Sequence, residues 1–461
     1  MNTKKLPIGL KLGYGSGDIG GNLFFTAIGI FLLFYLTSIV KLDPLLAGLT
    51  VMIGRIWDAV TDPAVGYLSD RTRTKLGRRR PWILLGSLPL GIMWFLLFTN
   101  INITNQPLLF LWITLLLILL NTFYTFVNIP YNALTPDLTK DYDERTSLNG
   151  WRMSFACVGT LVGAGAAPMI KDYFGGNTKG YMIMGLVVGS ILTISSLIPF
   201  LSVKEPNPPE KNKKKKINEI FLSYLETFKN KPFVLILIPW ILNTAGVTII
   251  MLAMPYYFEN ILMNRELMAF ALLALVLSSL VFIPLCVLIS KIIEKKYTYI
   301  TGMIIFSSII IIIFLIGHII GLKKIFKIFN FQIYLVYLLL LIAGIGFSTH
   351  YVMPYSIVPD TTEYDYLKSG IKREGIYYGI WTFSIKIGQA FAALIGGAVL
   401  KFTGYNADFI QQTKNAQLGI RFLVGPIPVI LFLTANFVLF FYPISRKKYM
   451  EIQDGIKGME K

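Results

Sequence analysis

Residues 81–136 read PWILLGSLPLGIMWFLLFTNINITNQPLLFLWITLLLILLNTFYTFVNIPYNALTP, without one Asp, Glu, Lys or Arg. A bilayer crossing needs about 20 mostly apolar residues. This stretch predicts two crossings, with a turn near residues 100–107. A barrel strand would alternate apolar and polar residues over about 10 positions, and this run is continuous. In lipid the backbone must satisfy its own hydrogen bonds, so each crossing is expected to be a helix.

Outward from this stretch, charge-free runs recur at 19–40, 153–170, 180–203, 232–258, 267–290, 297–322, 328–359 and 422–445. Two more apolar segments carry charges: 44–69 holds Arg55, Asp58 and Asp62, and 375–400 holds Lys386. The expected fold is therefore an all-α polytopic membrane protein with twelve transmembrane helices. Composition agrees: 54% of residues are hydrophobic and 15% charged, against about 25% charged in soluble domains. An ordinary water-soluble enzyme is excluded.

The net charge of +18 would suit a nucleic-acid binder, but its placement argues against one. Lys and Arg concentrate in alternate loops and at both ends, by about three to one. That bias predicts both termini in the cytoplasm, in the cell (inner) membrane. The basic runs 71–80 and 211–216 read as topology signals that also meet lipid head groups. Residues 1–17 are polar and the first apolar run is too long for a signal h-region, so no cleavable signal is expected.

The chain divides where Pro and like charges gather after residue 203. The expected units are a six-helix bundle at 1–203, a cytoplasmic linker at 204–231, a second six-helix bundle at 232–445 and a cytoplasmic tail at 446–461. Two such halves suggest a transporter built from repeats, with its site at mid-membrane. The halves share no strong identity, so hydropathy alone supports the repeat.

A charge at the bilayer centre costs at least about 2.5–3.5 kcal/mol. Arg55, Asp58 and Asp62 share one helical face at i, i+3 and i+7. Carboxylates four residues apart repel. In low dielectric such a pair shares a proton or holds a cation, and Thr61 adds an oxygen. The other reading is an Arg55–Asp salt bridge between helices, although one arginine cannot neutralise two carboxylates. Cys157 and Cys286 lie in separate apolar helices and read as core residues. His318 and His350 are far apart, which gives a metal centre no support.

The stretch Gly66-Tyr-Leu-Ser-Asp70-Arg71, followed by Lys75-Leu-Gly77-Arg78-Arg79-Arg80, resembles the loop between helices two and three of the major facilitator superfamily. Trp57-Asp58-Ala-Val-Thr-Asp62-Pro63 narrows the resemblance, as do Asn128-Ile-Pro130-Tyr131, Thr135-Pro-Asp137 and Glu144-Arg145 leading to Arg152. Pro359-Asp360-Thr-Thr-Glu363-Tyr364 before Arg373-Glu374-Gly375 and Lys386 completes it. Together these are similar to the glycoside–pentoside–hexuronide:cation symporters, the melibiose-permease group, over residues 10–445.

The resemblance implies a major facilitator fold and symport of a sugar-like solute with Na+, Li+ or H+, without a cofactor. It places the cation at Asp58, Asp62 and Thr61, with Thr125 from helix four. A further family acid falls at Asn128. The sugar-binding acid falls at Asn22, and the helix-four tryptophan at Asn132. The helix-five arginine matches Arg152, the helix-ten tryptophan falls at Tyr351, and the helix-eleven lysine matches Lys386. These departures weigh against a galactoside.

Asp18 reads either as a helix cap or as a partner of Arg152. Arg152 serves either substrate or a gate. Lys386 sits inside an apolar helix and reads as functional. Tyr124, Tyr131, Tyr351 and Trp381 are candidates to stack on a sugar ring. Arg55, Asp70, Arg71, Asp137, Arg145, Asp360, Glu363 and Arg373 read as gating charges, those beyond the spans forming cytoplasmic ion pairs. Counting Arg152 and Lys386 against Asp18 alone predicts a pocket that prefers a hexuronide to a neutral galactoside. The partners expected are a small sugar-like solute and membrane lipids, and no nucleic acid. A membrane-embedded enzyme lacks its motifs: no nucleophile elbow, His-rich stretch or phosphate loop is present. A lysophospholipid-like amphiphile is the alternative cargo.

Overall fold

The computed structural model describes residues 6–99, 101, 103–139, 142–205, 226–321, 324–328, 331–371 and 373–459. Side chains are described for these except at 136–137, 142–143, 145–146, 316–321, 324–328 and 331–333. Among the described residues, 12 helices are long and apolar enough to cross a membrane. They are α1 (Ile8–Ile39), α2 (Pro44–Arg71), α3 (Arg80–Leu97), α4 (Gln106–Thr135), α5 (Ser147–Tyr173) and α6 (Thr178–Ser202), then α7 (Lys231–Asn260), α8 (Leu267–Ile293), α9 (Lys295–Leu315), α10 (Leu335–Ser369), α11 (Glu374–Phe402) and α12 (Lys414–Phe440). A shorter helix, α13 (Arg446–Met459), follows. The chain is an all-α polytopic membrane protein.

Side chains fix several starts. Asp43 accepts the Leu45 N–H at 3.0 Å, with Pro44 opening α2. Asn105, Asn230 and Thr413 do the same for α4, α7 and α12. Such caps satisfy N–H groups that have no partner inside the helix.

Two compact units emerge, Met1–Asn212 with α1–α6 and Lys213–Lys461 with α7–α13. In the first, α3 packs on α4 and α6, α2 on α4, and α1 on α5 and α6. In the second, α9 packs on α10 and α12, α8 on α10, and α7 on α11 and α12. Each principal pair of one unit recurs in the other, shifted by six helices. The repeat is thus visible in packing although the sequences of the halves have diverged.

Two boundaries differ from the charge-free runs. α12 starts at Lys414, before the run 422–445, and so includes Lys414 and Arg421. Arg421 is accommodated because its Nη2 donates to Phe314 O and its guanidinium lies 5.0 Å from the Phe314 ring centroid. Within α12 the backbone breaks at Gly425-Pro426. α10 starts at Leu335, after residue 328, because β1 (Lys324–Ile328) and β2 (Phe331–Tyr334) pair antiparallel before it. The apolar residues of this hairpin kept the charge-free reading running into it.

Lipid offers no hydrophobic drive between helices, so close backbone approach at small residues carries association. Gly91 of α3 faces Gly189 of α6. A Cβ on Gly91 would lie 2.5 Å from Gly189 O, and one on Gly189 would lie 2.6 Å from Gly91 O. The obstacle is backbone on both sides, so it cannot swing away. Gly91→Val and Gly189→Val should each lower the melting temperature of the purified protein by several degrees, in line with about 1–3 kcal/mol for overpacking. A change within 1 °C for either, roughly the scale of an exposed-site substitution, would show that α3 and α6 are not held at this distance.

Candidate functional site

The charges of α2 are set by its packing on α4. A Cβ at Gly54 would lie 2.6 Å from Leu117, so only glycine permits the approach. Polar links tie the same pair. Asn121 Nδ2 donates to Gly54 O at 3.1 Å, Trp57 Nε1 to Thr122 Oγ1 at 2.8 Å, and Thr50 Oγ1 meets Thr114 Oγ1 at 3.0 Å. This register brings Thr125 of α4 between two successive turns of α2. Its Oγ1 lies 3.1 Å from Asp58 Oδ1 and 3.2 Å from Asp62 Oδ1. Thr61 Oγ1 approaches Thr125 Oγ1 at 3.5 Å and donates to Trp57 O at 3.0 Å.

Asp58 is 1% exposed and Thr125 fully buried. A hydroxyl has one proton to give, so Thr125 serves one carboxylate at a time. Two carboxylates and two hydroxyls thus form an oxygen cluster, a donor set that a hard monovalent cation could take. Arg55 is buried and lies 5.5 Å from the Phe25 ring centroid. The four sequence-predicted cation residues therefore come together.

A second polar cluster joins α1, α4 and α5. Arg152 Nε donates to Asp18 Oδ2 at 2.6 Å and Nη2 to Asp18 Oδ1 at 3.1 Å. Its Nη1 donates to Thr135 Oγ1 at 2.9 Å and Nη2 to Asn132 Oδ1. Tyr131 Oη lies 2.7 Å from Asp18 Oδ2, and the Arg152 guanidinium lies 4.9 Å from the Tyr131 ring centroid. Asn132 Nδ2 donates to Asn128 Oδ1 at 3.0 Å, and Asn22 Nδ2 to Asp18 O at 3.0 Å. Tyr124 stacks on Phe24 at 4.0 Å and lies near Gly21.

Of the two readings of Asp18, the geometry gives the partner of Arg152. The bidentate carboxylate compensates Arg152, which leaves Lys386 as the remaining cation of the pocket count.

In the second unit, Tyr351 is 47% exposed. Trp381, expected to stack on a sugar, is fully buried and lies flat on Trp240 with centroids 4.7 Å apart. The aromatic surface left open beside it belongs to Tyr355, 5.7 Å from Trp240. His350 stacks on Trp240 at 5.0 Å and meets Tyr299 Oη at 3.3 Å, and Asn243 Nδ2 donates to that hydroxyl at 2.7 Å. Lys386 is half-buried on α11. Sequence reasoning missed Trp240, Asn243 and Tyr355. A tryptophan followed three residues later by an asparagine in an apolar helix is the signal that was available.

Within each unit, several of the charges expected to gate have described partners. Asp70 Oδ1 lies 3.1 Å from Arg79 Nη2, whereas Arg71 lies over the Tyr67 ring at 3.8 Å. Asp360 takes Lys295 at 2.7 Å. Glu363 accepts from Gln453 of α13. Arg373 pairs with Glu226 at 2.7 Å and Asp365 at 3.9 Å, and not with Asp360 or Glu363. The side chains of Asp137 and Arg145 lie outside the described residues.

Residues 13–446 match the family described as MFS/sugar transport protein, and the chain belongs to it. It is a multi-pass membrane transporter of symporter character and not an enzyme. It is 31% identical to the uncharacterized symporter YnaJ of Bacillus subtilis, over 100% of this chain and 97% of that protein. It is 28% identical to a putative sulfoquinovose importer of Salmonella typhimurium, over 100% and 94%. A sodium-dependent lysophosphatidylcholine symporter of Danio rerio is 24% identical, over 96% and 87%. Among solved structures, an inward-facing bacterial homologue of the lysosomal transporter Spinster superposes with TM-score 0.67 at 13% identity, over 96% and 97% of the two chains.

The Asp18–Arg152 pair generates a stability test. Removing one partner leaves the other charge buried and unpaired, at about 3–5 kcal/mol. Asp18→Asn should lower the melting temperature strongly, and the Asp18→Asn, Arg152→Gln double variant should recover most of the loss. A double variant as unstable as the sum of the singles would mean that the two residues do not act as a pair.

Proposed function

We propose that this protein is a cation-coupled symporter of a sugar or sugar derivative, of the glycoside–pentoside–hexuronide:cation kind, working by alternating access between its two repeats. The single observation that carries the reading is on α4. Thr125 belongs to the carboxylate cluster with Asp58 and Asp62, and Asn128, one turn on, belongs to the amide and arginine cluster. Loading a cation on the first cluster moves or orders the helix that presents the second, so the two sites share a conformational state. The family match and the sulfoquinovose importer support a sugar-like cargo.

In this reading Asp58, Asp62, Thr61 and Thr125 hold Na+, Li+ or H+. In the first unit Asn22, Asn128 and Asn132, with Asp18 and Arg152 as one neutral pair, are assigned to the sugar, and in the second unit Tyr351, Tyr355 and Lys386. Asp70, Arg71, Asp360, Glu363 and Arg373 tie loops that must move between states. With Asp18 on Arg152, Lys386 remains as a cation, which favours a hexuronide over a neutral galactoside. Both termini face the cytoplasm, because Lys and Arg crowd that side. The lysophosphatidylcholine relative supports a second reading, an amphiphile as cargo.

Three outcomes are expected. In proteoliposomes, Asp58→Asn with Asp62→Asn abolishes cation-driven accumulation and leaves downhill exchange. Continued accumulation would overturn the cation assignment. A glucuronide competes for uptake better than its matched neutral glucoside, and both outcompete lysophosphatidylcholine. Dominant competition by the lysolipid would establish the second reading. A periplasmic reporter fused after Lys461 stays silent, and an active one would reverse the orientation.

A further inference from the structure

The junction between α8 and α9 is one residue long. α8 ends at Ile293, α9 begins at Lys295, and Glu294 between them adopts φ 71° and ψ 153°. A non-glycine residue there is strained, and the sharp turn it makes opens a cavity of about 380 Å³ at the end of the second unit. The N-terminal ends of α9 and α13 both border it, through Lys295 and Arg446. A helix N-terminus presents spare N–H groups and partial positive charge. Glu294 already uses this, accepting the Arg446 N–H at 3.3 Å.

The walls carry Lys291, Lys295, Lys296 and Arg446 against Asp360 and Glu294. Asp360 is committed to Lys295 Nζ, at 2.7 and 2.8 Å. Lys296 Nζ donates to the carbonyls of Phe440 and Tyr442, and Arg446 Nη1 to that of Lys291. Neutral carbonyls fix these side chains without cancelling their charge. Three cations therefore face a single carboxylate.

An independent observation points to a missing ligand. Tyr442 lines the same cavity, is 3% exposed, and its Oη has no hydrogen-bond partner among the described residues. Burial pushes the phenol well above its ordinary pKa, so it is a proton donor. A buried hydroxyl without a partner is costly, and a ligand oxygen would supply the acceptor.

Three of the helices that border this cavity, α8, α9 and α10, also bound a narrow apolar cleft. It is lined by Cys286 and Ile289 of α8, Thr298 and Ile305 of α9, and Ile345 of α10. On α9 it begins within a turn of Lys295 and Lys296. A soluble anion would have no use for it.

We propose that this cavity binds the phosphate of an anionic phospholipid, held by Lys291, Lys296, Arg446 and the Tyr442 hydroxyl, with an acyl chain laid along the cleft. The site sits where α8 ends and α9 begins, the depth at which head groups lie.

The test uses the full-length protein in detergent micelles doped with phosphatidylglycerol, with phosphatidylcholine, or with inorganic phosphate in the buffer. Native mass spectrometry reads bound lipid and a melting curve reads stabilisation. Phosphatidylglycerol should be retained in preference to phosphatidylcholine and should raise the melting temperature. Lys291→Gln with Arg446→Gln, both exposed, should weaken that retention by about fivefold per cation removed, leaving phosphatidylcholine retention unchanged. Tyr442→Phe keeps every charge and the packing, and should also lower phosphatidylglycerol retention several-fold. Should the double variant fail to fold, Tyr442→Phe alone decides. Equal retention of the two lipids, or undiminished phosphatidylglycerol binding in these variants, overturns the proposal. Stabilisation by inorganic phosphate equal to that by phosphatidylglycerol would overturn the lipid as the source and leave a free-anion site.

Discussion

Inside a bilayer no water is available to a charge, so each one must find its compensation within protein. Two arginines within the spans follow that constraint. Arg152 is answered by Asp18 across α1 and α5. Arg421 of α12 is answered by the Phe314 carbonyl and ring of α9. The arrangement of helices within each unit can be read from these answers, because a helix that carries a charge must lie against the helix that carries its partner. The carboxylate pair on α2 is bridged by a hydroxyl of α4, since Thr125 Oγ1 lies within hydrogen-bond distance of both Asp58 and Asp62.

Much of this was legible in the residues. Continuous apolar runs mark helices because lipid enforces one solution for the backbone, so ten spans followed from the absence of charge and two from apolar segments that charges interrupt. Asp58 and Asp62 stood out as candidates because a charge in an apolar segment is expensive, whereas Thr125 was named only through the family resemblance. What stayed hidden depends on pairing in space. Trp381 looks like an open ring in the sequence and is covered by Trp240, which lies far away along the chain. The Asp18–Arg152 pairing was one of two readings of Asp18, and residues more than a hundred positions apart gave no means of choosing between them. The hairpin before α10 was missed because its apolar residues satisfy a charge-free search as well as a helix does.

The recurrence of helix pairings between the units carries its own lesson. Packing contacts are conserved between the halves at the level of which helix meets which, while the polar contents have separated. The first unit holds the carboxylates and the arginine pair. The second holds an aromatic stack around Trp240, with His350, Tyr299 and Asn243 linked by hydrogen bonds. One scaffold thus supports an ionic cluster in one copy and an aromatic one in the other, since the scaffold is set by small residues and apolar stripes.

α4 joins these ideas. It has no charge from Gln106 to Thr135, so it can slide or tilt in lipid at little electrostatic cost. Yet it contributes Thr125 to the α2 carboxylates, and Asn128, Tyr131, Asn132 and Thr135 to the Asp18–Arg152 network. A helix that is uncharged itself but hydrogen-bonded at successive turns to two charged clusters is well suited to pass a change at one to the other. Hydrogen bonds to ionised groups are worth about 1.5–3 kcal/mol each, comparable with the 1–3 kcal/mol typical of coupling between sites. Rearranging one such contact, as cation binding between Asp58 and Asp62 would require of Thr125, is therefore sufficient in magnitude for the coupling that symport needs.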